Sequence, residues 1–600
     1  MCGLFGQFSP REAGRAAAEK AVARLRHRGP DASAIWRSDD GRLTVGHTRL
    51  KIIDLSDAAN QPMVSPDGRY VLIYNGEIFN FADVRRSYRG GWNFRTDSDS
   101  EVLLATFAAN GLAAMRDWVG MFAFAMLDQV ARKIYLVRDR FGIKPLYFVR
   151  TADGGFAFAS EIPVLLDLLP AVRADEDVIR TYLETGIYES GARTFFRDVQ
   201  ALEPGCAAVI DLASGAWEFT RWYRLADHVA DLSGAREDEL VERGSALVET
   251  AIRDHLVADV KVGINVSGGV DSSVLVTQAK RELDDVHAFT QDYEEPYSEA
   301  KWVRDVAEGC HLHIAALDSA TIRALLPEVV KGQAEPFGGV TVCGYDPLYA
   351  EAGRAGVTVL LDGNGADESF LGYQNYHAAY VHSLSGRAHD EAAEGYRRFW
   401  GGEPRPAPSN GQAIDGTVAV NTSVIADGLR RRAGILAPAD TGAFADPVKT
   451  MAARDLLSAK IPRGLRFNDR MSMMRSKELR VPFLDHRLVE FGFGVPTKFL
   501  LNGQGSKALL RKIAARSVPP SIADATKRSV QSPQREWLAN EWRDLVADII
   551  TSPSFAARGW IDPQRAQLAY EQFRQGERVN SFFVWQWVNL ELWARAFLDR

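Results

Sequence analysis

Residues 267–273 (SGGVDSS) combine two glycines, three hydroxyl groups and a carboxylate in one short segment. An apolar, β-branched stretch precedes the segment and helical spacing follows it, which predicts a strand, a tight turn and a helix start. Backbone N–H groups in such a turn, together with the helix N-terminus, bind phosphate well, and glycine lets the backbone approach it closely. Because Asp271 would repel a bare phosphate, its presence suggests an intervening Mg²⁺ ion. The alternative interpretation is an ordinary Gly-Gly turn with a Ser or Asp N-cap.

A second glycine-rich turn, residues 362–368 (DGNGADE), follows a predicted strand at 357–361. Strands that alternate with helices in this half of the chain predict a parallel, doubly wound sheet. Ligands of such sheets bind beyond the carboxyl ends of the strands, so we expect the two turns to form one magnesium-nucleotide site. Asp271 and Asp367 are its predicted metal ligands. A plain acidic turn is the alternative.

Cys2 is a candidate nucleophile because of its position in the chain. The initiator Met is usually removed before a small residue, which would leave Cys2 with a free α-amine beside its thiol. An α-amine titrates at about 7.7–8.0 and a free thiol near ~8.5, so one residue can supply both the nucleophile and the general base. By itself, a cysteine at position 2 is weak evidence for such chemistry.

Further motifs follow Cys2 in order. They are 27–31 (HRGPD), 46–50 (GHTRL), 74–80 (YNGEIFN) and 96–101 (TDSDSE). Taken together, these motifs resemble the class II glutamine amidotransferase domain. The resemblance implies an αββα sandwich of the N-terminal nucleophile type, and the short alternating strands of this region agree with two packed sheets.

The same resemblance implies a role for each polar residue of these motifs. Cys2 would attack the side-chain amide of glutamine, and the Asn75 amide with the Gly76 N–H would form the oxyanion hole. Arg49 would pair with the substrate carboxylate, and Asp99 would hold the substrate ammonium. Simpler interpretations stay open, since Asn-Gly is also a hairpin dipeptide and Asp99 could be an N-cap. The residues expected to bind glutamine are Arg49, Asn75, Glu77 and Asp99.

The carboxyl-terminal half carries a second set of motifs. These are 469–473 (DRMSM), 478–485 (ELRVPFLD) and Lys527, six residues before a proline. The turn at 267–273 resembles the pyrophosphate loop of the ATP pyrophosphatases, and the order of the pieces resembles the synthetase domain of the glutamine-dependent asparagine synthetases. That resemblance implies adenylation of a carboxylic acid by Mg·ATP, with Lys527 neutralising phosphate charge. The residues assigned to ATP are Ser267, Gly268, Gly269, Asp271, Ser272, Ser273, Gly363 and Lys527.

Two departures from that family concern the acceptor. The family's second turn usually reads Ser-Gly-Glu/Asp-Gly-x-Asp-Glu, whereas this chain has Asp362 in place of the serine and Asn364 in place of the acidic residue. An amide cannot act as a base there. The family's Lys-x-Gly-Phe is Lys-Arg-Ser-Val at 527–530. The acceptor is therefore either L-aspartate or another carboxylate, such as an intermediate of a specialised metabolite, and position 364 favours the second.

Length and composition set the wider limits. A chain of 600 residues is too long for one core, and the polar segment 224–236 separates predicted domains at 2–215 and 237–600. A net charge of −7 without a basic run argues against a nucleic-acid partner. Apolar runs are too short to span a membrane, and the start lacks a signal peptide. Four widely spaced cysteines suit a reducing cytoplasm. Family analogy suggests a homodimer.

Residues 385–425 are rich in Gly, Pro and Ala, which predicts a surface insertion that buries little. A cyclising synthetase that does not use glutamine is an alternative function, although the retained glutaminase motifs argue against it. A scaffold without chemistry is another, and the complete nucleotide motifs argue against that one.

Overall fold

The computed structural model describes residues 2–405, 419–437, 441–442, 444–503, 505–523, 525, 532–577 and 580–599. The strands of the amino-terminal part are β1 Gly3–Phe8, β2 Ala32–Arg37, β3 Leu43–Arg49, β4 Met63–Val64, β5 Tyr70–Ile78, β6 Gly120–Asp128, β7 Lys133–Arg138, β8 Tyr147–Arg150, β9 Phe156–Ala159, β10 Gln200–Ala201, β11 Cys206–Asp211 and β12 Trp217–Arg221. Its helices are α1 Arg15–Arg24, α2 Phe81–Ser87, α3 Asp99–Asn110, α4 Ile162–Leu166 and α5 Glu176–Thr185.

These strands form two antiparallel sheets, in the orders β10-β8-β9-β1-β3-β2 and β12-β11-β7-β6-β5-β4. Alternate side chains of each sheet, such as Leu4, Ile73 and Phe158, meet in a core between them. The outer face of the second sheet packs Phe124 against Phe107 of α3. The layers run helix, sheet, sheet, helix, which confirms the predicted αββα sandwich.

The carboxyl-terminal part is built on one parallel sheet. Its strands are β13 Val262–Asn265, β14 His287–Tyr293, β15 His311–Leu317, β16 Val359–Leu361 and β17 Glu478–Arg480. Its helices are α6 Glu237–His255, α7 Val270–Glu282, α8 Ala300–Val306, α9 Ser319–Gln333, α10 Val340–Cys343, α11 Tyr345–Arg354, α12 Ala366–Ser369, α13 Gln374–Ser383, α14 Gly386–Trp400, α15 Asp427–Arg432, α16 Pro447–Arg454, α17 Lys460–Met474, α18 His486–Gly494, α19 Thr497–Leu500, α20 Ala508–Ala514, α21 Pro520–Ala523, α22 Gln534–Ala539, α23 Arg543–Thr551, α24 Pro553–Arg558, α25 Pro563–Arg574 and α26 Phe582–Phe597.

The sheet order is β15-β14-β13-β16-β17, and every pair is parallel. Successive residues point into different cores on its two faces, as Leu360 and Leu361 of β16 do. The prediction of a doubly wound parallel sheet is confirmed. Because β13 and β16 are hydrogen-bonded neighbours, the turns that follow them lie side by side at one edge of the sheet.

The segment 385–425 differs in part from the expectation of a surface insertion. Residues Gly386–Trp400 form helix α14, in which Ala393 and Tyr396 are buried against α13. The helix forms because alanines and ion pairs at i,i+4 spacing offset the flanking glycines. Residues 406–418 lie outside the described residues. In the described part of the chain, no helix is both long and apolar enough to cross a bilayer.

Two candidate active sites

Cys2 lies directly before β1 and is buried, with 8% of its surface exposed. Its backbone nitrogen, the atom that becomes the α-amine once Met1 is removed, donates to Oδ1 of Asn75 at 2.9 Å. Burial raises the pKa of the Cys2 thiol, although the amino-terminal charge and Arg49 act in the opposite direction. The thiol is therefore protonated at neutral pH and needs the adjacent amine to accept its proton.

Asn75 and Gly76, the predicted oxyanion hole, lie within β5 beside Cys2. Nδ2 of Asn75 is buried and makes no hydrogen bond to the described residues, so it remains available to a developing oxyanion. A Cβ at position 76 would lie 2.2 Å from the carbonyl oxygen of Met121. Only glycine therefore fits this position, and the hairpin interpretation is wrong because both residues lie inside a nine-residue strand.

Asp99 faces the same strand. Its Oδ2 accepts hydrogen bonds from the Tyr74 hydroxyl at 2.8 Å and from the Ile78 N–H at 3.0 Å. The N-cap of α3 is Ser98, whose side chain accepts from Ser100, so the interpretation of Asp99 as the N-cap is wrong. Burial raises the pKa of Asp99. Its position next to the oxyanion residues fits the predicted role of holding an ammonium group.

Arg49 ends β3, and its guanidinium already makes hydrogen bonds within the protein. Its two terminal nitrogens donate to the carbonyl oxygens of residues 53, 54 and 56 and to Oδ1 of Asn60, at 2.9 Å for the last. It therefore fixes the loop at 53–60, and a substrate carboxylate would share a guanidinium that this loop positions.

Two residues of the carboxyl-terminal part reach this site, and the sequence reasoning missed both. Glu478 and Arg480 of β17 are fully buried, and Nη2 of Arg480 lies 3.7 Å from Oε1 of Glu77. Burial raises the pKa of Glu77, as do the charges of Asp99 and Glu478. Burial alone would raise the pKa of Glu478, but the amino-terminal charge and Arg480 lower it to about 2. The motif 478–485 marked this strand without revealing its contacts.

Arg28 ties the Cys2 site to the other half of the chain. Its guanidinium is buried and donates to the carbonyl oxygen of Cys2 at 3.1 Å, to Glu161 at 2.9 Å and to both carboxylate oxygens of Asp469. Asp469 belongs to α17, so one arginine links the nucleophile to a helix of the parallel-sheet part. Every charge in this cluster has a close partner of opposite sign.

The second site is a cavity of about 370 Å³ at the carboxyl ends of β13 and β16. Both predicted turns line it, through Ser267, Gly268, Gly269, Asp271, Ser272, Gly363, Asn364 and Asp367. Gly268 has a φ of +65°, and a Cβ there would lie 2.9 Å from Trp302, so glycine is required. The hydroxyl of Ser273 donates to the carbonyl oxygen of Gly269 at 2.7 Å and closes the turn.

Lys507 lines this cavity between Asp271 and Asp367, and the sequence patterns did not reveal it. Its Nζ lies 2.5 Å from Oδ2 of Asp271 and 2.7 Å from Oδ1 of Asp367. Burial would lower the pKa of Lys507, but the two carboxylates raise it. The residue that was predicted to contact the phosphates, Lys527, lies outside the described residues. Lys507 precedes helix α20, and its place after Gly505-Ser506 was the available signal.

The two carboxylates converge on one point, since a single ammonium group contacts both. Such a pair fits Mg²⁺, which is held by one or two carboxylates together with waters and phosphate oxygens. Within the described residues, no group of three or more potential ligands is preformed for a metal. Asp271 and Asp367 could therefore supply two ligands of a Mg²⁺ ion, with waters and phosphate oxygens as the others.

Comparisons with known proteins agree with this geometry. The sequence-family model of the glutamine amidotransferase domain matches residues 1–223, and that of asparagine synthase matches residues 244–595. A Mycobacterium tuberculosis protein named "putative asparagine synthetase, glutamine-hydrolyzing" is 32% identical over 653 residues, covering 100% of this chain and 98% of its own.

Two other relatives are also similar along nearly their whole length. Asparagine synthetase 1 of Bacillus subtilis is 27% identical and covers 98% of this chain and 97% of its own. Amidase chry2 of Gibberella zeae is 25% identical and covers 92% and 90%. The chain therefore belongs to the glutamine-hydrolysing asparagine synthetase family and is a glutamine-dependent carbon–nitrogen ligase.

Proposed function

We propose that this ligase adenylates a carboxylic acid other than L-aspartate and converts it to an amide with ammonia from glutamine. The observation that carries this proposal is Asn364, which lines the ATP cavity at the position where the family's turn has an acidic residue. A housekeeping asparagine synthetase acting on L-aspartate is the alternative. We assign glutamine hydrolysis to residues 2–215 and amide synthesis to residues 237–600.

Hydrolysis of glutamine begins at the Cys2 thiol. As sulfur attacks the amide carbon, the α-amine takes the thiol proton, and the new oxyanion accepts hydrogen bonds from Nδ2 of Asn75 and the N–H of Gly76. The proton then passes to the leaving nitrogen, ammonia departs, and a thioester remains. Water cleaves the thioester to glutamate and regenerates the thiol. The carboxylate of Asp99 holds the substrate ammonium, and Glu77 lies beside it.

Adenylation takes place in the cavity at the sheet edge. An oxygen of the acceptor carboxylate attacks the α-phosphorus of ATP, the bond to the β-phosphate breaks, and pyrophosphate leaves with its electron pair. Residues 267–273 cradle the phosphates, and Lys507 supplies a positive charge where charge develops. Asp271 and Asp367 would hold Mg²⁺, which when bound neutralises the phosphate oxygens.

Ammonia then attacks the acyl-adenylate carbon, and AMP leaves as the amide forms. The attacking nitrogen must lose a proton, and the side chain of Asn364 cannot accept it because an amide nitrogen has no basic lone pair. Asp362 cannot substitute freely, since its carboxylate accepts hydrogen bonds from Asn265 at 3.0 Å and from the Asn364 N–H at 3.1 Å. An acceptor that brings its own basic group or a different shape would suit such a turn, which favours a carboxylate other than L-aspartate.

The experiment measures pyrophosphate release with Mg·ATP and ammonium across a panel of carboxylic acids that includes L-aspartate. We expect release with another acid and little with L-aspartate. Asn364→Asp and Asn364→Glu should raise pyrophosphate release with L-aspartate relative to release with the other acid. Asn265→Asp, which also adds a carboxylate to the lining of the cavity, serves as the control. Efficient asparagine formation by the wild type would instead establish the alternative.

A further inference from the structure

Arg480 contacts both candidate sites through different groups. Its backbone carbonyl accepts the N–H of Asp362 at 2.8 Å, and Asp362 is the first residue of the turn that lines the ATP cavity. Its guanidinium points the other way, with Nη2 3.7 Å from Oε1 of Glu77 in the glutaminase site. A shift of β17 at one site therefore moves a charged group at the other.

The guanidinium is held on the synthetase side by short hydrogen bonds. Nε donates to Oε1 of Glu478 at 2.6 Å, and Nη1 donates to the carbonyl oxygens of His255 and Val257 at 2.7 Å each. These carbonyls lie at the carboxyl end of α6, where a cation is favourable. The guanidinium is thus held by β17 and by the carboxyl end of α6, both of which belong to the synthetase domain.

Phe79 of the glutaminase domain is packed against the same group. The Arg480 guanidinium carbon lies 5.3 Å from the centroid of the Phe79 ring. The ring centroids of Phe79 and His255 are 3.9 Å apart. Phe79 follows Gly76 by three residues, so this contact reaches the segment that forms the predicted oxyanion hole. A side chain of the synthetase domain therefore packs directly after the strand that carries Asn75 and Gly76.

One nitrogen of the guanidinium is not fully used. Nη2 is buried and makes no hydrogen bond to the described residues, and its separation from Glu77 exceeds hydrogen-bond distance. A buried donor without a partner is unfavourable, and a hydrogen bond from an arginine to a carboxylate is favourable. An approach of about 1 Å would bring Nη2 within hydrogen-bond distance of Glu77, whose Oε2 is also buried without a hydrogen-bond partner among the described residues. Arg28, by contrast, has all its partners in place.

We propose that Arg480 is a positioning residue of the glutaminase site, which couples glutamine hydrolysis to occupation of the ATP cavity. This inference rests on the proposed function, because it needs both sites to act. Nucleotide binding moves the turn at 362–368, β17 follows through the hydrogen bond from Asp362, and Arg480 closes on Glu77. The glutamine site is then ordered when an acyl-adenylate can be formed.

The test measures glutamine hydrolysis by the full chain with Mg²⁺, with and without saturating α,β-methylene-ATP, whose α–β bond cannot be broken. In the wild type we expect the analogue to raise kcat/KM for glutamine by about fivefold or more, the lower end of measured couplings. Arg480→Lys keeps the charge and loses the planar fork, so its response should be below about twofold while analogue affinity is kept. A merely structural role would lower both rates equally and leave the ratio unchanged.

Arg487→Lys is the matched control. Arg487 also pairs with two carboxylates, Asp254 and Asp485, but both belong to the synthetase domain. It should respond to the analogue as the wild type does. A full response in Arg480→Lys overturns the proposal. So does a wild type that hydrolyses glutamine and binds the analogue without any change in rate.

A second measurement does not depend on a folded variant. Hydrogen exchange of the wild type should slow at residues 74–80 when α,β-methylene-ATP binds, and unchanged exchange there overturns the coupling. Failure of the wild type to hydrolyse glutamine or to bind the analogue would contradict the proposed function itself, so the two failures are distinguishable.

Discussion

The two candidate sites differ in how completely the chain closes around them. Around Cys2, strand residues supply a buried nucleophile with its predicted oxyanion donors and hydrogen-bonded carboxylate already in place. The proposed ATP site is a cavity bordered by turns, in which Lys507 contacts the two carboxylates where phosphate and Mg²⁺ would be bound. The first is a preorganised site, because sheet packing holds its nucleophile, its predicted oxyanion donors and Asp99, although Arg480 and Glu77 there still lie 3.7 Å apart. The second is a substrate-completed site, since the proposed nucleotide and Mg²⁺ would supply its missing contacts. The proposed coupling through Arg480 would keep the preorganised site from hydrolysing glutamine without an acceptor.

The largest expected effect is on the preorganised site. Cys2→Ala should lower glutamine hydrolysis by roughly 10³-fold or more, because the nucleophile itself is lost. Pyrophosphate release with added ammonium should stay near the wild-type rate, since the other cavity is untouched. Assays of glutamate and pyrophosphate check both activities. Cys310→Ala, at a partly exposed cysteine, is the control, and loss of both activities in Cys2→Ala would contradict the two-site account.

Lys507→Gln addresses the substrate-completed site. Removing the cation should slow pyrophosphate release by about 10²–10³-fold, the usual effect of losing one electrostatic contact to a transition state. Glutamine hydrolysis without nucleotide should continue. Lys512→Gln on the same helix α20 is the control, because Lys512 pairs with Glu237 at the surface. Equal pyrophosphate release in Lys507→Gln and the wild type would show that Lys507 has no part in adenylation.

Arg28→Met tests the link between the two regions. The change leaves Glu161 and Asp469 buried without their shared cation, so the free energy of unfolding should fall by about 3 kcal/mol. Denaturant titration gives this value. Arg24→Met, at a partly exposed ion pair with Asp167, should cost no more than about 0.5 kcal/mol. Similar values for the two variants would show that the Arg28 cluster does not stabilise the interface.

The smallest expected effect concerns pH. Burial would lower the pKa of His27, but Glu161, 3.0 Å away, raises it above its ordinary value of 6.5. A raised pKa in the folded state means that the stabilisation is present below pH 6.5 and is lost as the pH rises through the folded-state pKa. Because His27 is about one-third exposed, its effect on stability is small. In denaturant titrations, the free energy of unfolding of the wild type should exceed that of His27→Gln by less than ~1 kcal/mol at pH 6 and by almost nothing at pH 9. The opposite pH trend would contradict the assignment.

The sequence predicted the fold and the local structure around residues 267–273 because both depend on short-range patterns. The segment 267–273 follows a strand and begins a helix in the structure as its glycines and β-branched neighbours indicated. The αββα layering and the parallel sheet likewise follow from strand spacing and from alternation of strands with helices.

Residues whose roles depend on pairing between distant segments were missed. Lys507 meets Asp271 across 236 positions, and no local pattern reports such a contact. Arg480 and Glu478 reach the Cys2 site only because β17 joins the sheet beside β16. The segment at 386–400 was misjudged for another reason: its composition is rich in Gly and Ala, yet tertiary packing of Tyr396 buries one face of a helix.

In the proposed function, one chain moves nitrogen from glutamine into an amide made at the second site. The most direct test supplies glutamine labelled with ¹⁵N in its side-chain amide, Mg·ATP and a panel of carboxylic acids that includes L-aspartate, and follows the products by mass spectrometry. We expect one acid, other than L-aspartate, to be converted to a ¹⁵N-amide with equal amounts of AMP and pyrophosphate. Labelled asparagine as the main product would contradict the proposed acceptor, and glutamate formed without any labelled amide would contradict the transfer of nitrogen from glutamine.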